Sequence, residues 1–236
     1  MVSNHDESLV IRALKSVRES ISWEIEVILI DDRNTLDSYN LSEFYECYHR
    51  VLLFKNYESS GLTKGLNFAS AVAKGKYLAR LDADDLCEPD RMFLQLQLME
   101  LNPSASVCFS DAFVQDSSGN FPPTLQKINC LAVGYKNSFV HSSAFIRRAD
   151  FIQNGGYRYW LKKKQDFELW HRLQFKNFKF INCDRPLIVY TKSRKKPFVT
   201  NLWVIVVHSY VGMKYRRFIP HFFYSLSIFT RRIMGW

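Results

Sequence analysis

The chain has 236 residues, 32 Lys and Arg against 23 Asp and Glu, a net charge of +9, and 47% hydrophobic content. This is ordinary globular usage at a length suited to one domain with an appendage, and it excludes a disordered, collagenous, coiled-coil or disulfide-stapled chain. No run of 18 uncharged apolar residues occurs, which argues against a membrane-spanning helix.

Leu9, Val10, Ala13, Leu14, Val17 and Ile21 recur at three- and four-residue steps. That spacing predicts a one-sided helix over about 6–22. Val27 to Ile30 (VILI) is a continuous apolar run ending in Asp31-Asp32, the pattern of a strand covered on both faces. Val51 to Phe54 is similar. Gly61 to Lys74 reads as a helix with Gly75 as its C-cap. Lys76 to Leu81 (KYLARL) reads as a strand running into Asp82-Ala83-Asp84-Asp85. Pro89 opens a helix to about Leu101, and Val107 to Phe109 begins a further strand. Strands alternating with helices of about a dozen residues predict an α/β layer with a largely parallel central sheet. Ligands of such sheets bind beyond the carboxyl ends of the strands, where Asp31, Asp32, Asp82, Asp84 and Asp85 fall. In the second half, Ser138 to Arg147 reads as a strand, Asn154 to Tyr157 as a turn, Asp166 to Leu173 as a short helix and Ile188 to Thr191 as a last strand.

The charge is uneven. Residues 185–236 hold ten Lys or Arg and no acid, whereas the first 184 residues are nearly neutral. A basic nucleic-acid face on the body is therefore disfavoured. The tail is also apolar and aromatic, in Leu202 to Val207 and Phe218 to Phe229. Cation-flanked aromatic segments suit an interfacial anchor on a membrane surface. The alternative is a pair of helices packed on the body. A boundary between 1–191 and 192–236 follows. The five cysteines are odd in number and form no C-x-x-C, and no leader opens the chain. A reduced cytoplasmic setting with thiols buried as small hydrophobes is expected.

Asp82, Asp84 and Asp85 are three carboxylates in four residues, and they repel one another. A cation offsets such repulsion, and hard oxygens suit Mg2+ or Mn2+. An ion held by one or two carboxylates keeps positions for phosphate oxygens and neutralises a departing diphosphate. The other reading is a solvated turn that caps the next helix.

Taken together, EVILIDD (Glu26 to Asp32), SGLTKGLNFASAVAKGKYLARLDADD (Ser60 to Asp85), PDR (Pro89 to Arg91), HSSAFIRR (His141 to Arg148), NGGY (Asn154 to Tyr157) and QDFELWHRL (Gln165 to Leu173) resemble a family 2 glycosyltransferase with the GT-A fold. The resemblance runs from Asn4 to about Thr191. It implies that Asp32 hydrogen-bonds a nucleotide base, that Gly61 and Asn67 line the nucleotide site, and that Asp82 lies near the ribose. Asp84 would bind the metal, with Asp85 a weaker candidate. Asp166 would be the base that deprotonates the acceptor hydroxyl, with inversion at the anomeric carbon. His141 would touch metal, diphosphate or acceptor, or be structural. Arg80 would face the nucleotide or pair with a carboxylate, and Lys162 to Lys164 would attract phosphate, keep Asp166 ionised or form a solvated turn.

The first strand of the family pattern is missing except for Met1 to Asn4, so the start lies upstream or the chain is a truncated, weakened enzyme. Gln165 stands where the family usually has Glu. The implied activity is transfer from a nucleotide-sugar donor to a saccharide or lipid-linked acceptor in bacterial surface polysaccharide (O-antigen or capsule), at the inner face of the cell membrane. The rival is a non-catalytic, membrane-associated remnant.

Overall fold

In the computed structural model of the protein, residues 2–3, 7–19, 25–34, 36, 41, 44, 50–55, 61–116, 124–126, 139–192 and 198–215 are described. Strands β1 (Val2–Ser3), β2 (Glu26–Asp31) and β3 (Arg50–Lys55) form a wholly parallel sheet in the order β1-β2-β3. Leu29 and Ile30 at its centre are almost wholly buried, as a double-covered strand requires. The first strand is thus not wholly absent: Val2 pairs with Ile30 and Ser3 with Asp31. Helix α1 (Glu7–Glu19) buries Val10, Ala13, Leu14 and Val17, the predicted stripe. Helix α2 (Leu62–Val72) adds Leu66 to the same core. Gly75 is not its C-cap. The helix ends at Ala73, and the Lys74 and Gly75 N–H groups both donate to Glu26 Oε1.

The second sheet contains β4 (Tyr77–Ala79), β5 (Leu86–Cys87), β6 (Ala105–Asp116), β7 (Thr124–Gln126), β8 (Phe145–Arg147) and β9 (Lys179–Lys192), in the order β4-β8-β6-β9-β5 with β7 alongside β6. It is mixed, which corrects the expectation of a largely parallel sheet. β6 and β9 are parallel, but β8 lies between β4 and β6 antiparallel to both, and β5 is antiparallel to β9. Since β8 opposes both neighbours, β4 and β6 run the same way, as their helical crossover α3 (Arg91–Leu101) demands. A later strand inserts between them. β6 and β9 are much longer than their apolar runs suggested. Their register shifts near Ser110 and Asp111, opposite Cys183 and Pro186, where a bulge accommodates the proline.

The segment ahead of β8 is not a strand. His141–Ser143 is a 3-10 turn in which the Ser143 amide and hydroxyl both donate to Val140 O. Serine hydroxyls that satisfy nearby carbonyls favour turns over ladders. Helices α4 (Arg148–Gln153), α5 (Gln165–Phe175) and α6 (Phe198–Lys214) complete the chain. α6 docks on the body: Val207, Val211 and Tyr215 pack with Leu161 and Phe167, and His208 stacks on Phe167 at 4.3 Å. No helix among the described residues is long and apolar enough to cross a membrane. Phe218 to Phe229, Cys47 and Cys130 lie outside the described residues. Cys87, Cys108 and Cys183 are buried free thiols.

Candidate functional site

The site forms where β2, β4 and the 3-10 turn end, facing the start of α5. Its frame is set from below by Arg91 and Gln95 on α3, both buried. Arg91 Nη2 donates to Arg80 O at 2.7 Å and its Nε to Gln95 Oε1 at 3.0 Å. Gln95 Nε2 in turn donates to Ser143 O at 2.9 Å and to Cys108 O at 3.2 Å. The arginine of the PDR motif is thus a strut tying β4 to the 3-10 turn and β6.

On that frame stands the acidic turn. Asp82, half-buried, pairs with the Arg80 guanidinium through Oδ1 and accepts from the Ser142 hydroxyl through Oδ2 at 2.9 Å. Burial opposes its charge, but Arg80 and Ser142 outweigh burial and hold its carboxyl below the usual range. Asp85 is wholly buried. Its Oδ1 accepts the Thr191 N–H at 2.7 Å and its Oδ2 lies against Ser142 Oγ. Burial, reinforced by the Asp82 charge, pushes its carboxyl up to about 8. Within the protein the Arg80 guanidinium offsets the charge of Asp82, and burial favours the neutral form of Asp85. Asp84 is half-buried, and its carbonyl accepts from Thr191 Oγ1 at 2.6 Å.

Asp32 Oδ1 accepts the Gly61 N–H at 3.2 Å, joining the end of β2 to the start of α2. Gly61 sits at φ 84°, ψ 165°, a conformation essentially confined to glycine, while a Cβ there would meet nothing within 4 Å. Asp31 belongs to the scaffold: buried, it accepts the Leu36 N–H at 2.8 Å. Asn67 grips the Asn154–Tyr157 turn, its Nδ2 donating to Tyr157 O at 2.7 Å and its Oδ1 accepting the Tyr157 N–H at 2.8 Å.

That grip presents Tyr157 to His141, whose Nε2 shares a 2.7 Å hydrogen bond with the Tyr157 hydroxyl. Burial, then Arg80, lowers the His141 pKa despite the pull of Asp166 and Asp82, so the imidazole is neutral near pH 7. Burial raises Tyr157, opposed by Arg80 and reinforced by Asp166 and Asp82. Asp166 lies in the first turn of α5, half-buried, after Lys164 at φ 60° and beside buried Gln165. Tyr190 on β9, which sequence patterning did not single out, stands among the carboxylates. Burial and then Asp85, Asp82, Asp84 and Asp166 push its hydroxyl up to about 12. Asp166 is thereby brought to the acidic turn from some eighty residues away in sequence. Tyr157, Ser142 and Tyr190 are the site residues that only the fold reveals.

A Mg2+ or Mn2+ ion takes hard oxygens and, at such sites, fills its remaining positions with phosphate and water. Half-buried Asp84 fits that demand, whereas Asp82 carries Arg80 on one oxygen and Ser142 on the other, and buried Asp85 is bonded to Ser142 and Thr191, so either would have to exchange a partner to reach an ion. Among the described residues no three His, Cys, Asp or Glu side chains converge to hold a metal unaided.

The family model for glycosyl transferase family 2 matches residues 2–158. An uncharacterized glycosyltransferase of Methanocaldococcus jannaschii is 25% identical over 221 residues, covering 86% of this chain and 76% of that protein. The amylovoran biosynthesis glycosyltransferase AmsE of Erwinia amylovora is 30% identical over 118 residues, covering 48% of this chain and 44% of AmsE. Among solved structures, TarS of S. aureus superposes with a TM-score of 0.74 at 16% identity, covering 98% of this chain and 71% of that one. The mannosyltransferase PcManGT of Pyrobaculum calidifontis, in complex with GDP-Man and Mn2+, superposes with a TM-score of 0.64 at 14% identity, covering 96% and 62%. The shared architecture is the GT-A fold.

Proposed function

Given that the chain belongs to glycosyl transferase family 2, we propose that it moves a sugar from a nucleotide-diphospho-sugar to a saccharide or lipid-linked acceptor, with inversion, in surface-polysaccharide assembly at the inner face of a bacterial membrane. The observation that carries this reading is that Asp166 and Asp82, far apart in sequence, both act electrostatically on His141, Tyr157 and Tyr190, with Asp84 joining them at Tyr190. One flank offers carboxylates suited to a metal diphosphate. The opposite element offers a carboxylate suited to an incoming hydroxyl.

Asp32, with the start of α2 at Gly61, faces the nucleotide, and the N–H groups of that helix end suit negative charge. Asp84, with Asp85 the weaker candidate, would hold Mg2+ or Mn2+, which when bound supplies Lewis-acid stabilisation of the diphosphate, and Asp82 would lie near the ribose. Asp82 is kept anionic and fixed in rotamer by Arg80 and Ser142. Asp166 takes the proton of the acceptor hydroxyl. The new bond forms from that oxygen to the anomeric carbon, the bond to the phosphate oxygen breaks on the opposite face, and the diphosphate leaves with the electron pair. Neutral His141, braced by Tyr157, orients the acceptor or the diphosphate without adding a charge. AmsE, as its name states, serves amylovoran biosynthesis, which supports the polysaccharide setting.

The test is a panel of UDP- and GDP-sugars with Mn2+ and saccharide or lipid-linked acceptors. Asp166→Asn is expected to lower turnover by about 10²–10⁴-fold while nucleotide binding stays at the wild-type level. Asp84→Ala should abolish the metal-dependent part of that binding. Wild-type turnover in Asp166→Asn would remove the base assignment. No transfer or donor hydrolysis by the wild-type protein would favour the non-catalytic remnant.

A further inference from the structure

Beside the site lies a surface that the transfer reaction does not use. The segment from Arg158 to Lys164 leads from the Asn154–Tyr157 turn into the helix bearing Asp166. Leu161 anchors it: the side chain is buried, and its carbonyl accepts from Thr63 Oγ1 at 2.6 Å. On either side of that anchor the chain faces outward, with Tyr159 72% and Trp160 39% exposed. Trp160 meets Tyr210 of α6 edge to face at 5.0 Å. Helical spacing then carries the patch along α6. Val207, Val211 and Tyr215 turn to the body, with Tyr210 partly buried against the same cluster, whereas Val206 and Met213, two turns apart at i and i+7, face outward. Val206 and Met213 are 47% and 63% exposed. A folded body does not gain by leaving aromatic, Val and Met side chains in one solvent-facing patch; such patches mark contact surfaces.

The charge around the patch says what it contacts. Lys162 and Lys163 are exposed beside Trp160, and Lys214 lies at the end of the apolar stripe, donating to Tyr210 Oη at 2.7 Å. Neither 158–164 nor α6 contains an acidic residue, and none occurs from residue 185 to the end of the chain. Aromatic and aliphatic groups that sink to a headgroup boundary, edged by lysines that meet anionic headgroups, match a phospholipid surface in both hydropathy and sign. We propose that the Tyr159–Lys163 segment and the Val206–Met213 face of α6 together form the seat of this protein on an anionic bilayer. Resting on the reading above, this places the Asp166 side of the site toward the membrane, where the hydroxyl of a lipid-linked acceptor is presented.

The full-length protein is to be sedimented with vesicles of phosphatidylcholine alone and of phosphatidylcholine with phosphatidylglycerol. Wild-type protein is expected to bind the mixed vesicles, to be released by salt, and to ignore phosphatidylcholine alone. Lys162→Gln/Lys163→Gln should weaken partitioning on the order of thirtyfold, at about fivefold per surface lysine. Val206→Ser/Met213→Ser should weaken it by roughly tenfold or more through lost apolar burial. Val206 and Met213 are exposed, so Val206→Ser/Met213→Ser should melt like wild type and retain nucleotide binding. The proposal is overturned if wild type ignores the mixed vesicles or if both variants partition like wild type, the lipid then being met elsewhere in the chain. A dimer in solution that Val206→Ser/Met213→Ser dissociates would equally overturn it, assigning the patch to a second copy. Vesicle binding without nucleotide binding would count against the transferase reading and leave the membrane seat standing.

Discussion

Ser142 Oγ lies within bonding reach of Asp82 Oδ2 and Asp85 Oδ2, yet a hydroxyl has one proton to give. The contacts balance if Asp85 is protonated: it donates to Ser142, and Ser142 donates to Asp82 while accepting the Asp82 N–H. Burial, which pushes Asp85 up to about 8, agrees. A folded-state pKa above the unfolded value of 3.8 stabilises the fold fully below 3.8, and the contribution is lost as pH rises through about 8. Asp85→Asn replaces the protonated acid with a group that makes the same two bonds, donating to Ser142 and accepting from Thr191. Relative to this variant, wild type should lose stability across pH 4–8, by about 1 kcal/mol per pH unit while one proton separates the folded and unfolded states. Denaturant unfolding at pH 5 and pH 8 measures it, and parallel curves would mean that Asp85 is ionised. Sequence spacing presented Asp82, Asp84 and Asp85 as equals. Only burial separates a carboxylate facing the site from a carboxylic acid folded into the sheet.

At the scale of elements, the Asn154–Tyr157 turn is held by α2 through a fit with no slack. Gly156 has φ 55°, and a Cβ there would lie 2.6 Å from Asn67 Oδ1. Gly156→Ala therefore meets two costs, about 1 kcal/mol for the left-handed backbone and a further cost for displacing the Asn67 amide from Tyr157. In an Asn67→Ala background the clash with the amide is gone and only the backbone cost and the 3.2 Å approach to Phe151 remain, so the two substitutions should be less than additive in a thermal or denaturant double-mutant cycle. Additive values would show that the Asn67 grip does not depend on Gly156. The rhythm of strands and helices made β2, α1 and the α2–β4 unit legible, because each carries its own apolar period. The insertion of β8 between β4 and β6 was not legible, since strand order depends on partners far away in sequence. Nor was the 3-10 turn at His141, where an apolar-flanked serine pair reads as strand until its hydroxyls are seen bonding locally.

Across the whole molecule, the basic C-terminal segment is not simply appended to the body. Its charge asymmetry was plain in the sequence, but the docking of α6 was not, because Val207 and Val211 differ in no local way from the exposed Val206 and Met213. The contact reaches a buried ion pair. Glu168, wholly buried on α5, is held by Arg172 Nε and Nη2 at 3.0 Å, and Tyr215 Oη donates to Glu168 Oε1 at 2.7 Å. Arg172 also donates to Gly156 O at 2.6 Å. The last turn of α6 is therefore linked through α5 to the turn that carries Tyr157. Tyr215→Phe leaves the ring packed but removes one donor from a buried carboxylate, at a cost of about 1–3 kcal/mol. A corresponding fall in melting temperature, with vesicle partitioning unchanged, is the expected result, because Tyr215 faces the body. Deleting residues 198–236 would in addition uncover Leu161 and Phe167 and should cost clearly more. If Tyr215→Phe melts like wild type while the deletion still destabilises, apolar packing alone holds α6, and the link to the Tyr157 turn carries no stability.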